Sequence, residues 1–473
     1  MTLPLIPAPQ SSTLRAGPGE PLTASHVDAL ADALSPWAPR AAAAARRTLA
    51  DLVSTTAPPA EVTVTATQDP SLAAEGYTLD LAAGSWALTA ADETGAFWAV
   101  QSLAQLLRDG AVPDLQVSDA PAYPVRGMML DIARFYFGPD DIRRVIDLAA
   151  SYRLNQLHLH LSDDQGWRLE IPSRPLLTKM SAAQDVAGGQ GGYLTLEDYE
   201  QLQRYALDRH VVIVPEVDLP GHTHAAQVAY PEISPDGAER EPYIGTEVGF
   251  SSLHLTSDEA WDFVDDIVAT LAEHTLGEYV HLGGDESLTL TREQYVTYME
   301  RLGAVAEKHG TKAVFWQEAA GAALPPGTRL QYWTSQIETD HIAQVARDHD
   351  VTFIASPATR AYLDQKYTAD FPLGLTWAAI VDVREAYDWD PVAELPGVPA
   401  ESVVGVEACL WTETPRSFDD LTMLVLPRLP AVASVAWGSP KDYPAFASAL
   451  AQHGRWWDAD GLVFYRSEQV DWT

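Results

Sequence analysis

Tyr279-Val280-His281-Leu282-Gly283-Gly284-Asp285-Glu286-Ser287 is an apolar run that ends in two glycines and then in two adjacent carboxylates. Read as a buried strand, it carries acid chemistry to a rim. Strict alternation along a strand would point the two carboxylates apart, but glycines adopt backbone angles closed to other residues and let the chain aim both into one cleft. Two carboxylates side by side also divide labour, because the charge on one favours the protonated form of the other.

On both sides of this stretch, from about Arg126 onward, apolar strands alternate with helical stretches or long loops. The pattern predicts strands near Gly127–Leu130, Gln156–Leu161, Val211–Val217, Tyr279–Gly283, Lys312–Trp316, Leu330–Trp333, Thr352–Ser356 and Ser402–Trp411. Eight such strands point to an α/β fold with a (β/α)8 TIM barrel spanning residues 123–473, whose interior is packed and whose chemistry lies at the strand C-terminal ends. The first 122 residues read as a small α/β domain: a helix through Ala41 to Leu52, strands Glu61–Ala66 and Gly76–Leu81, and an amphipathic helix Ala96–Leu107. No chemical constellation is visible there, and the expected role is packing support.

The chain has 473 residues, 47% of them hydrophobic and 20% charged, which is the composition of a folded globular protein. Its 66 acidic against 30 basic residues give a formal charge of -36. Nucleic acid, anionic membrane and heavily sulfated or uronate polymers are thereby poor partners, whereas neutral ones are unaffected. A single cysteine, Cys409, excludes an intrachain disulfide framework and a cysteine-built zinc site. It sits in Val406-Glu407-Ala408-Cys409-Leu410-Trp411 and reads as a buried small apolar residue. The first residues show no basic segment followed by an apolar core, so the expectation is cytoplasmic, or secreted if a leader has been removed. No apolar run of membrane-spanning length occurs.

Polar residues crowd the predicted strand ends. Strand one is followed by Leu130-Asp131-Ile132-Ala133-Arg134 and opens with Arg126-Gly127. Strand two ends in His158-Leu159-His160-Leu161-Ser162-Asp163-Asp164, and strand three in Pro215-Glu216-Val217-Asp218-Leu219-Pro220-Gly221-His222. Two readings of the histidines stay open. His158 and His160 share one strand face and could ligate a metal with Asp218 and His222. Alternatively, His and Asp form a hydrogen-bonded layer that orients and charge-balances the acid pair. The later strands add Trp316, Trp333, Trp377 and Trp411, flat apolar faces of the kind that stack on sugar rings, and Tyr362-Leu363-Asp364 adds a phenol and a carboxylate.

With these residues in view, the chain resembles the family 20 glycoside hydrolases, the β-N-acetylhexosaminidases. His281-Leu282-Gly283-Gly284-Asp285-Glu286 is similar to that family's signature, and the stretches around Arg126–Arg134, Asn155–His160, Pro215–His222, Tyr362–Tyr367, Gly405–Glu407 and Leu410–Glu413 follow its pattern in order. The resemblance implies an exo-acting, retaining hydrolysis of N-acetyl-β-hexosaminide ends from chitin-derived oligomers or glycans. No enzyme nucleophile takes part, because the substrate's own 2-acetamido oxygen attacks the anomeric carbon. Glu286 would be the general acid and later the base. Asp285 would orient the acetamido N–H and stabilise the oxazolinium intermediate, and Tyr362 would donate to the acetamido oxygen. Trp316, Trp333 and Trp411 would wall the pocket. Arg126, Asp364 and Glu413 would hold sugar hydroxyls, and Asp163 and His222 would support the acid. The resemblance implies no cofactor and no metal. It leaves open the oligomeric state and the choice between N-acetylglucosamine and N-acetylgalactosamine.

Departures from the pattern are few. Ser287 stands where a small residue, often Ala, is expected; Gln317-Glu318 follows Trp316 where an acidic residue is expected; Ser434 replaces an expected Glu. Two rivals remain at this point, a metal-dependent barrel hydrolase and a non-catalytic sugar-binding barrel.

Overall fold

The computed structural model describes residues 3–15, 20–54, 61–108, 110–112, 114–334, 340–348 and 350–473. Near the N-terminus, strands β1 (Ser11–Leu14), β2 (Thr63–Gln68), β3 (Tyr77–Ala82), β4 (Ser85–Ala90) and β5 (Leu115–Asp119) form one sheet in the order β1-β5-β3-β4-β2, antiparallel except for the β2–β4 pair. Alternation decides which face is covered. Tyr77, Leu79 and Leu81 of β3 and Trp86, Leu88 and Ala90 of β4 are buried together with helices α1 (Ala24–Leu34), α2 (Pro39–Leu49) and α3 (Glu93–Leu107).

The second unit is a closed barrel of eight parallel strands: β6 (Val125–Asp131), β7 (Gln156–His160), β8 (Val212–Glu216), β9 (Tyr279–His281), β10 (Lys312–Trp316), β11 (Arg329–Tyr332), β12 (Thr352–Ala355) and β13 (Val403–Leu410), with β13 pairing back onto β6. Every residue of β6 and β7 is buried, as expected of strands covered by helices outside and by a packed lumen inside. All eight strands lie where the sequence pattern places them, within one or two residues at most ends. The helices between them start on local signals: Ser257 caps Asp258–His274, and Thr291 with Gln294 forms a capping box on Arg292–Lys308.

One expected site residue lies elsewhere. Arg126 is the second residue of β6, at the N-terminal end of the barrel. Its side chain also takes the outer face of the strand, since it alternates with Gly127, which abuts the lumen residue Glu407. The guanidinium is fully buried, pairs with Glu75 at 2.5 Å, donates to the carbonyls of Tyr123 and Arg153, and stacks between Trp98 and Trp437. Arg126 therefore ties the N-terminal unit to the barrel and does not hold the sugar. A neighbouring pair, Arg153 with Asp119 at 2.7 Å, ties the same seam. Breaking a buried pair from one side leaves an uncompensated charge, so Arg126→Met lowers unfolding stability by about 3–5 kcal/mol. In the folded fraction, KM for the substrate stays at the wild-type value. A raised KM at unchanged stability in denaturant titration would return Arg126 to the site.

Candidate active site

The acid stretch turns as a chain of left-handed residues. Gly283 has φ +68, Gly284 φ +108 and Glu286 φ +44. A Cβ at Gly283 would lie 1.7 Å from Asp218 Oδ1, so this glycine is what admits Asp218 beneath the turn. Asp218 then accepts the Gly284 N–H at 3.0 Å, and Tyr295 donates to the Gly284 carbonyl at 2.6 Å. Glu286, a non-glycine at positive φ, carries backbone strain of the kind found at functional positions.

The two carboxylates are thereby brought to one opening. Asp285 is the more enclosed, its side chain 11% exposed against 31% for Glu286. Its Oδ1 has no hydrogen-bond partner among the described residues. Burial raises both Asp218 and Asp285, and two adjacent carboxylates in one dry site cannot both ionise. Burial and the charge of Asp285 push Asp218 well above the usual carboxylate range, so Asp218 is the member of the pair suited to hold the proton.

Behind them stands His222. Its Nε2 lies 3.5 Å from Glu286, 3.8 Å from Asp285 and 4.0 Å from Asp218, and its Nδ1 is 3.1 Å from Asp163. Burial would lower the ring's proton affinity, but Asp163, Asp218 and Asp285 raise it well above the usual histidine range. Burial would likewise raise Asp163, yet the Arg134 guanidinium and the His222 and His160 rings hold it well below the usual carboxylate range. The expected pair behind the acid is thus a charged one.

The arginine of the site is Arg134, quoted above but assigned no role there. The Asp131 carboxylate at the end of β6 accepts the backbone N–H groups of Ala133 and Arg134 and fixes the bend. The side chain then reaches Asp163 at 2.7 Å and lies 4.7 Å from the Trp411 ring centre. Near it is Glu413, with Asp364 beside Glu413, and each of these carboxyls has one buried oxygen unpartnered among the described residues. Burial and the charge of Glu413 push Asp364 up to about 8, and burial raises Glu413 against the pull of Arg134. Unpartnered buried acceptors flanking a fixed guanidinium are suited to hydroxyl groups of a ligand.

The aromatic side of the site closes as expected. Trp316, Tyr362 and Trp411 pack with Met129 and Cys409 into one apolar cluster, against which Trp333 is packed. The Trp316 and Trp411 ring centres are 5.9 Å apart, and the Tyr362 ring lies 6.2 Å from Trp411. Burial raises the Tyr362 phenol well above its usual range, so it remains a neutral donor. Trp377 is 47% exposed and stands edge-on to both Trp333 and Tyr362 at the rim. Glu318, noted above only as a departure, receives the Trp333 indole N–H at 3.2 Å. Burial and the charges of Asp285 and Glu286 push it up to about 8.

The four side chains of the metal reading do not converge. His158 and His160 each direct both ring nitrogens at carboxylates, and neither joins Asp218 and His222 around one point. Their geometry fits the hydrogen-bonded alternative.

Comparison with known proteins adds to this geometry. Residues 123–440 match the profile "Glycosyl hydrolase family 20, catalytic domain", and residues 2–120 match "Glycosyl hydrolase family 20, domain 2". A beta-N-acetylhexosaminidase of Cellulomonas fimi is 42% identical over 421 residues, covering 88% of this chain and 85% of its own. The GH20 beta-N-acetylhexosaminidase of Streptomyces coelicolor A3(2) superposes with a TM-score of 0.90 at 40% identity, covering 100% of this chain and 99% of its own. A variant Streptomyces plicatus beta-hexosaminidase in complex with the product GlcNAc superposes at 0.89 with 39% identity, over 100% of this chain and 98% of its own.

Proposed function

The chain belongs to glycosyl hydrolase family 20 and is a glycoside hydrolase of the β-hexosaminidase kind, and from that premise we propose an exo-acting enzyme that works by retaining, substrate-assisted catalysis. Its substrates in this reading are terminal, non-reducing N-acetyl-β-D-hexosamine units of chitooligosaccharides or glycans. The observation that carries the reading is the pairing of Asp285 with an enclosed box. Asp285 offers an unpartnered oxygen, and its charge acts on the neutral Tyr362 phenol, which packs with Trp316 and Trp411 in one apolar cluster.

An acetamido group in such a box has both of its polar ends met. Its N–H donates to Asp285, its oxygen accepts from Tyr362, and its methyl packs on tryptophan. The carbonyl oxygen is then held under the anomeric carbon, where a bound near-attack geometry replaces an encounter from solution. Glu286 donates its proton to the leaving oxygen as that bond breaks. The resulting oxazolinium cation is stabilised by the adjacent Asp285 carboxylate, and water activated by Glu286 then opens it with net retention. Arg134, Asp364 and Glu413 hold the ring hydroxyls of the terminal sugar, whose enclosure supports exo action.

The test compares matched aryl β-glycosides of N-acetylglucosamine and glucose. Turnover of the N-acetyl sugar is expected to exceed that of the glucoside by more than about 10³-fold, the scale at which loss of a positioned intramolecular nucleophile is felt. Comparable turnover of the two would place a nucleophile on the protein.

A further inference from the structure

The pair behind the acid is the end of a longer chain of buried groups. On β13, Glu407 faces His158 Nδ1 of β7 at 2.9 Å, and His158 Nε2 faces Glu216 of β8 at 2.9 Å. The same Glu216 oxygen meets His160 Nδ1 at 2.5 Å, and His160 Nε2 meets Asp163 at 2.9 Å. Asp163 then holds His222, whose Nε2 lies 3.5 Å from Glu286 with no hydrogen-bond partner among the described residues. Every member from Glu407 to His222 is at most 2% exposed. Carboxylates and imidazoles strictly alternate along it.

Hydrogen-bond capacity fixes the charges. An ionised carboxylate only accepts, and a ring whose two nitrogens both face carboxylates must carry both protons. His158 is then an imidazolium ion locked in the barrel lumen, and His160, whose Nε2 meets Asp163 at a shorter distance than the Arg134 guanidinium, is assigned the same state on its contacts to Glu216 and Asp163. Burial alone would strip their protons, but Glu216, with Glu407 on one side and Asp163 on the other, lifts His158 to about 9 and His160 to about 10. The remaining neighbours are fixed as well. Arg134 Nη1 lies 3.2 Å from His160, Gln156 and Gln331 donate to Glu407, and His281, lowered by burial and stacked on His158 at 4.6 Å, places Nδ1 3.1 Å from Glu216.

Glu216 is the branch point. Its second oxygen accepts the Trp316 indole N–H at 2.9 Å, so one side chain holds both a wall of the acetamido pocket and the path to the acid. We propose that Glu216 is a positioning residue for both halves of the reaction, keeping His158 and His160 charged so that His160 and Asp163 hold the His222 ring against Glu286 while Trp316 is fixed in place. The inference rests on Glu286 being the general acid. It goes further in assigning work to a carboxylate that touches neither substrate nor the reacting atoms.

The first measurement is 15N NMR of the histidine-labelled wild-type protein at pH 8, where an ordinary histidine is neutral. Three protected imidazolium signals are expected, from His158, His160 and His222; fewer than three overturns the proposal without any variant having to fold. The second is Glu216→Gln, which removes the anion shared by two imidazolium ions. It is expected to lose one of the three signals and to lower kcat/KM on a 4-nitrophenyl glycoside by about tenfold, from the loosened pocket wall. On an alkyl glycoside, whose departure depends on protonation, the loss is about tenfold greater. Equal losses on the two substrates, or three signals left intact, overturn the proposal. Glu286→Gln measured alongside separates the two layers, because retained activity there removes the acid assignment independently of the histidine signals.

Discussion

Glu286→Gln lowers hydrolysis of a 4-nitrophenyl N-acetyl-β-glucosaminide by about 10²–10⁴-fold, the usual contribution of a positioned general acid. The amide fits the same space at the partly exposed mouth of the site, so thermal unfolding is expected to coincide with that of the wild type. The size of the loss depends on the leaving group. A 2,4-dinitrophenyl glycoside departs without a proton and is expected to suffer least in the bond-breaking step, whereas an oligosaccharide leaving group suffers most. Near-wild-type rates on all three would remove Glu286 from the role of acid.

Asp285→Asn is expected to cost about 10²–10³-fold in kcat, in line with removal of one preorganised electrostatic contact to the transition state. Two things are lost together: the negative charge beside the oxazolinium cation, and an acceptor that orients the acetamido N–H. Asp218 gives the matching control. It accepts the Gly284 N–H, and its carboxyl is raised by burial and by the charge of Asp285; an asparagine offers an acceptor and a donor in the same place. Asp218→Asn is therefore expected to stay within about tenfold of wild type, while Asp218→Ala, which leaves the turn unsupported, approaches the loss of Asp285→Asn. If Asp218→Asn and Asp218→Ala were equally impaired, the proton on Asp218 would have a role beyond hydrogen bonding.

Much of this was legible in the residues. The barrel strands announce themselves because a strand covered on both faces is rich in apolar residues, as Val125–Asp131 is with Val125 and Met128-Met129-Leu130; Gln156–His160 is as fully buried but alternates Gln156, His158 and His160 with leucines. The acid pair was legible because Gly283 and Gly284 precede it, and both take φ angles that favour glycine. Arg126 and Arg134 were not separable by pattern, since both flank the first barrel strand within one motif. Only strand direction and face tell them apart: Arg126 points outward at the entry end, and Arg134 follows the exit end. Asp218 shows the same limit. Its partner Asp285 lies 67 residues on, and their approach depends on a glycine turn that alternation alone does not predict. Glu216 ends β8 two residues before Asp218, yet its four neighbours come from β7, β9 and β10, and no local spacing brings those together. In the N-terminal unit, β1, β4, β5 and α1 escaped reading; β1 is fully exposed, so no apolar alternation marks it.

The central claim is that the nucleophile is the substrate's own acetamido oxygen, and replacing its methyl hydrogens with fluorine tests it most directly. Along the series acetyl, fluoroacetyl, difluoroacetyl and trifluoroacetyl, each fluorine withdraws electrons from that oxygen while changing size little. The account predicts that kcat/KM on matched aryl glycosides falls at every step, by more than about 10²-fold across the series, as an attacking group in the rate-limiting step must. A flat series would contradict it and place the nucleophile on the protein.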